Sequence, residues 1–102
     1  MTYNLHCENL DLSDFERTEL DKKIDRIEKH LHPPFMVDVV LHHDAHHLKG
    51  AVVTCRINIK QGKKLFHVER TGSTAADAVD EVLNALKNEL EREHDKRKDR
   101  HE

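Results

Sequence analysis

Aromatic residues are scarce in this chain, which has no tryptophan, one tyrosine and three phenylalanines among 102 residues. Proteins that bind single-stranded nucleic acid stack the bases on aromatic side chains, so we do not expect base stacking as the main binding mode. The three glycines form no phosphate-binding loop, and no serine or cysteine has a recognisable catalytic partner. The sequence therefore predicts a protein that is not an enzyme and needs no cofactor.

Cysteines and long apolar runs are equally scarce. Cys7 and Cys55 have no CxxC partner, and two cysteines do not make a disulfide framework, so we expect two reduced thiols. No apolar run approaches the roughly 20 residues of a membrane helix, and the N-terminus lacks the apolar core of a signal peptide. These absences predict a cytoplasmic protein with no membrane partner.

The composition that remains predicts one small domain. Hydrophobic and charged residues each make up 36%, and the formal net charge is −3, which argues against indiscriminate nucleic-acid binding. The last apolar stripe ends at Leu90, while charged residues run on to Arg100. We therefore expect a single domain over residues 1–102, with a core over about 1–92 and a charged helical tail over about 92–102.

Alternating apolar residues predict four strands, near residues 2–7, 35–41, 51–59 and 66–72. A Ser13–Glu16 capping box opens a helix over Asp14–Leu31, which Pro33 and Pro34 prevent from continuing. A second helix begins after Ser73 or Thr74 and runs to Arg100. We interpret 42–50 as a polar connection and Lys60–Lys63 as a hairpin turn.

The order β-α-β-β-β-α predicts an α+β fold with a four-stranded mixed sheet. A right-handed crossover makes the first two strands parallel, the other strands follow as an antiparallel meander, and both helices pack on one face. With strand order 1-2-3-4, Cys7 and Cys55 lie two strands apart, roughly 9–10 Å. This separation exceeds the reach of a disulfide.

The first helix has its charges sorted by sign. At about 100° per residue, one flank of its apolar face is basic and the other acidic. The basic flank holds Lys22, Lys23, Arg26 and Lys29 with His30 and the single acid Glu19, and the acidic flank holds Asp14, Asp21, Asp25 and Glu28. Segregated charge gives the surface a direction, so this pattern predicts a polyanionic partner on the basic flank.

Four histidines in the run HHDAHH are weak metal-site candidates. His42 with His46, or His43 with His47, has the i,i+4 spacing that joins two ligands on a helix. The run falls in an expected loop, where that spacing does not align the rings, and no cysteine is close in sequence. A solvated loop is the alternative, and a loop that responds to pH or metal is a further one.

The chain resembles the ribosome hibernation promoting factors, also called ribosome-associated inhibitors or sigma-54 modulation proteins, in their short form. The resemblance rests on LDLSDFERTELDKKIDRIEKHL (10–31), MVDVVL (36–41) and TGSTAADAVDEVLNALKNELEREHDK (71–96). It implies a double-stranded-RNA-binding-domain-like fold and binding to the small ribosomal subunit and its rRNA. The family blocks translation in the messenger and transfer RNA channel during stress, and no catalysis is involved.

Arg17, Lys23 and Arg26, and Arg92 and Lys96 on the second helix, match basic family positions, whereas Ala85, Asn88 and Ala76 stand where the family has Lys, Arg and Tyr. Together with the basic flank, the resemblance predicts an rRNA-binding set. It comprises Arg17, Lys22, Lys23, Arg26, Lys29, Arg92, Lys96, Arg97, Lys98 and Arg100. The alternative is a divergent paralogue that acts as a protein-interaction or regulatory module through its acidic second helix.

Overall fold

A computed structural model describes residues 2–45, residue 50 and residues 52–99, except the side chains of 94–99. The elements follow the predicted order. They are β1 (Asn4–Glu8), α1 (Asp14–Glu28), β2 (Phe35–Asp44), β3 (Val52–Gln61), β4 (Lys64–Gly72) and α2 (Ala75–Asp99). The strands form one sheet in the order β1-β2-β3-β4. The β1–β2 pair is parallel and the other two pairs are antiparallel, so the predicted fold class is confirmed.

Both helices bury their apolar stripes on one face of this sheet. Alternate residues of β2 and β3 point to that face, and α1 and α2 cover them. The side chains that share this core include Leu20, Ile24 and Ile27 of α1, Val37, Val39 and Leu41 of β2, Cys55, Ile57 and Ile59 of β3, and Val79, Val82 and Leu86 of α2. Burying each large apolar side chain contributes roughly 1.5–3 kcal/mol, so this shared core fixes how the two helices lie beside each other.

Helix α1 begins as predicted and ends earlier. Ser13 Oγ accepts from the Glu16 amide and the Glu16 carboxylate accepts from the Ser13 amide, each at 3.1 Å, which completes the capping box. The helix ends at Glu28 because its last turn tightens, with the His30 amide donating to Ile27 O and the Leu31 amide to Glu28 O. Leu31 remains in the core although it lies outside the helix.

Strand β2 is longer than expected, so the interpretation of 42–50 as a polar connection was wrong at its start. His42 pairs with Thr54, His43 with Val53 and Asp44 with Val52. The antiparallel ladder satisfies the backbone groups of these residues whatever their side chains are, and this outweighs their polar character. The expected strand start at Ala51 lies outside the described residues.

The hairpin between β3 and β4 forms at the predicted place. Gln61 pairs with Lys64, which leaves Gly62 and Lys63 as a two-residue turn. Gly62 has φ +60°, the conformation that glycine adopts at low cost in such turns. The Gln61 side chain is buried and accepts from the His32 amide at 2.6 Å, so the hairpin also anchors the chain after α1.

Gly72 is where β4 meets the start of α2, and an alanine there is expected to destabilise the fold. Its Cβ would lie 2.6 Å from the backbone nitrogen of Ala78, which cannot move without shifting the helix. We expect Gly72→Ala to lower the free energy of unfolding, measured with urea, by about 1–3 kcal/mol. The exposed neighbour Thr71→Ala should change stability by less than about 0.5 kcal/mol; equal midpoints for the two variants would contradict the close packing.

The cysteines lie on either side of Leu41, which pairs with Cys7 in β1 and with Cys55 in β3. This register confirms their separation by two strands, and both thiols are free. Burial raises the pKa of Cys55 to about 12 and also raises the pKa of Cys7.

A raised pKa lowers the thiolate fraction, which is the reactive form. Cys7 is half-buried whereas Cys55 is fully buried, so we expect Ellman's reagent at pH 8 to label Cys7 slowly in the folded protein and Cys55 only after denaturation. Two thiols that react equally fast without denaturant would contradict this placement.

Candidate nucleic-acid interface

A groove runs between α1 and α2, which lie side by side and point in the same direction. Lys23 of α1 contacts Asp80 of α2 halfway along it. Beyond this pair, towards the helix C-termini, the groove is lined by Arg26 and Ile27 of α1, by Lys29 and His30 just after α1, and by Leu83, Asn84 and Lys87 of α2. We call this part the basic half. The part towards the helix N-termini is lined mostly by apolar side chains, and we call it the apolar half.

The basic half brings cations from two helices together. Its volume is about 490 Å³, and Arg26, Lys29 and Lys87 are exposed, without an ion-pair partner in the described part of the chain. His30 Nε2 is buried beside these cations and has no hydrogen-bond partner among the described residues. This is unusual for a buried polar atom in a native protein. Three exposed cations around an open groove suit a phosphate-bearing ligand.

Lys23 is held inside the protein more than a solvated lysine would be. Its side chain is 19% exposed, and Nζ donates to Asp80 Oδ1 at 2.5 Å. Asp80 therefore pairs with a cation that was predicted to contact the polyanion. A phosphate must compete with this carboxylate before it contacts Lys23.

The other two predicted cations of α1 do not line the groove. Arg17 pairs with Asp21 at 3.6 Å and lies 6.0 Å from the centre of the Tyr3 ring. Lys22 pairs with Glu19 at 3.4 Å on the exposed surface, where such pairs contribute little. The acidic flank is instead anchored to the residue just before β1, since Tyr3 Oη donates to Asp21 at 2.5 Å. Burial, followed by this hydrogen bond, raises the pKa of Tyr3 to about 12.

The cations predicted on α2 lie further along the helix. Arg92 is exposed and lines neither half of the groove. The backbone of α2 continues through Lys96, Arg97 and Lys98 to Asp99, while the side chains of these residues and the whole of Arg100 lie outside the described part. Lys64 forms an ion pair with Glu93, which connects this end of α2 to the β3–β4 hairpin.

Two charged residues of the groove, Asp80 and Lys87, were not among those predicted from the sequence. The signal was present, because Asp80, Leu83, Asn84 and Lys87 have the i, i+3, i+4, i+7 spacing of one helix face. Reading each helix separately did not show that this face lies against the basic flank of α1. The positions of Ala85, which packs against the core, and Asn88, which is exposed, lie outside the groove lining.

The histidine candidates divide between strand and undescribed residues. Successive residues of a strand point to opposite faces, so His42 and His43 of β2 cannot bind the same metal ion. His42 Nδ1 lies 3.2 Å from Glu8 Oε2 on the open face of the sheet. His46 and His47 lie outside the described residues. Within the described part, no group of three or more His, Cys, Asp or Glu side chains is arranged to hold a metal.

Comparisons with known proteins agree with the resemblance seen in the sequence. The N-terminal domain of Thermus thermophilus Protein Y is 22% identical, with TM-score 0.74 over 90% of this chain and 98% of that chain. A ribosomal subunit interface protein from Coxiella burnetii is 15% identical, with TM-score 0.73 over 92% of this chain and 98% of that chain. These two likenesses show the fold.

No curated protein sequence matches the chain significantly. Neither helix, over its described residues, is long and apolar enough to cross a membrane.

A family model described as sigma 54 modulation protein / S30EA ribosomal protein matches residues 3–98. Because this match spans nearly the whole sequence, the chain belongs to the sigma 54 modulation protein / S30EA ribosomal protein family.

Proposed function

We propose that this protein binds the small ribosomal subunit through its rRNA and silences translation by occupying the channel of the messenger and transfer RNAs. The observation that carries the proposal is the basic half of the interhelical groove, where Arg26, Lys29 and Lys87 are exposed. Family membership and the structural likeness to a ribosomal subunit interface protein support it. A ribosomal partner also agrees with the expected cytoplasmic location.

The mechanism is steric and electrostatic. Phosphate contacts position a protein on nucleic acid and carry no sequence information, so specificity has to come from the fit between this domain and the channel. The single tyrosine is held by Asp21 and Arg17, which leaves it unavailable for base stacking. The cations from two helices suit a folded rRNA backbone, whose phosphates approach from two sides of the groove.

The salt dependence of ribosome binding tests this proposal. Each phosphate contact contributes roughly 0.7–0.9 to the slope of log K against log salt. About three contacts give a slope of about −2 to −3, which is a roughly 15- to 60-fold loss of affinity between 50 and 200 mM salt. Co-sedimentation with purified small subunits over this range measures the slope.

Two results would contradict the proposal: absence from the small-subunit fraction at low salt, or binding that does not change with salt. Failure to bind the subunit would instead favour the alternative of a protein-interaction module. Asp77, Glu81 and Glu91 are exposed on α2 and provide the acidic surface that such a module would use.

A further inference from the structure

The apolar half of the interhelical groove is a second open surface with a different chemistry. Phe15 lies at its edge and is 73% exposed. Leu12, Leu20, Leu41, Ala76 and Val79 form its walls and floor. The small side chains of Ala75 and Ala76 leave this space open at the start of α2, where a larger residue would fill it.

The size of the apolar half indicates what it can hold. Its volume is about 240 Å³, below the roughly 300–1,000 Å³ of typical small-molecule sites. It exceeds the about 150 Å³ cavity that accommodates benzene in an engineered protein. One large apolar side chain fits this space, and a nucleotide-sized cofactor does not.

The charges around the apolar half are predominantly negative. Among its lining residues, Glu16 and Glu19 are acidic and Lys23 is the one base. Lys23 already contacts Asp80, and Lys22 contacts Glu19 from outside the groove. An acidic rim repels RNA phosphates and also repels the same rim of a second copy, whereas it attracts lysine and arginine.

We propose that the apolar half docks a basic protein segment, which inserts one large apolar side chain beside Phe15 and places lysines or arginines against the acidic rim. Glu16 and Glu19 line the groove itself, and Asp14 and Asp77 are exposed in the first turns of the two helices. The interaction goes beyond rRNA binding and does not depend on it. The basic half then contacts RNA and the apolar half contacts protein, the two components of a ribonucleoprotein surface.

A peptide titration tests this inference. The probe is acetyl-Lys-Lys-Phe-Lys-Lys-amide, added to the full chain with ¹³C-labelled methyl groups. We expect saturable NMR shifts at the methyls of Leu12, Ala76 and Val79. Replacing the peptide Phe by Ser should weaken binding at least tenfold, and replacing its lysines by glutamates should abolish it.

Two protein variants separate this site from the basic half. Ala76→Phe fills the apolar half and should abolish peptide binding while the salt-dependent affinity for the ribosome stays unchanged. Asn88→Phe, an exposed position of α2 outside the groove lining, is the matched control and should bind the peptide normally. Unfolding midpoints of both variants verify that they fold.

Three results would overturn the inference. The first is equal binding of the Phe and Ser peptides, which would show attraction by charge alone. The second is a shift of the groove methyls with protein concentration, which would identify a second copy as the occupant. The third is the absence of methyl shifts with the Phe peptide. None of them bears on rRNA binding, which the co-sedimentation experiment tests separately.

Discussion

Reversing the charge at both Arg26 and Lys87 is expected to lower the affinity for the small subunit by about a hundredfold or more at physiological salt. The two residues lie on opposite helices and line the same basic half, so the double variant Arg26→Glu/Lys87→Glu removes contacts from both walls. Each lost phosphate contact removes nearly one unit from the slope of log K against log salt. Each new acid also repels the phosphate backbone of the RNA. The slope of log K against log salt should also become shallower by about two.

The matched control for this variant is Lys60→Glu/Lys63→Glu. Both residues are exposed and lie at the β3–β4 hairpin, and neither lines the groove. The control carries the same change in net charge, so it measures the non-specific part of the effect. An equal loss of affinity in the two variants would remove the basic half from the interface.

Replacing Asp80 by lysine is expected to strengthen binding by roughly ten- to fiftyfold. Asp80 holds Lys23 at 2.5 Å, so the change frees one cation and adds another. Both then face the groove. Equilibrium binding to small subunits at fixed salt measures the gain.

A neighbour and a double-mutant cycle make this prediction specific. Glu81→Lys introduces the same change in charge at the next, exposed residue of α2, outside the groove lining, and should give a much smaller gain. The milder Asp80→Asn should raise affinity more when Lys23 is present than in a Lys23→Met background, where it only removes a repulsive charge. Equal gains from Asp80→Lys and Glu81→Lys would show that net charge, rather than the release of Lys23, controls binding.

The order of elements could be predicted because each left a local signal in the sequence. The Ser13–Glu16 capping box marks the start of α1, and Gly62 marks the β3–β4 turn. The boundaries were less accurate where backbone pairing decided them. β2 continues through His42 and His43 because β3 supplies partners for their backbone hydrogen bonds. No side-chain pattern in the sequence indicates this pairing.

The candidate site could be predicted only in part, because the sequence shows each helix separately. Arg26 and Lys29 were found from the sorting of charge on α1. Lys87 and Asp80 come from α2, and the packing of both helices on one sheet face brings them to the same groove. Arg17 matches the family pattern in the linear sequence, whereas in the fold its side chain lies against Tyr3.

Directed hydroxyl-radical probing can show whether the basic half of the groove faces rRNA. An iron chelate attached through Asn84→Cys, in a Cys7→Ala background, places the radical source in this half, while native Cys55 is buried. We expect rRNA cleavage along the messenger and transfer RNA channel, and much weaker cleavage from Thr71→Cys on β4. Stronger cleavage from position 71, or cleavage confined to other surfaces of the small subunit, would show that the basic half does not face rRNA there.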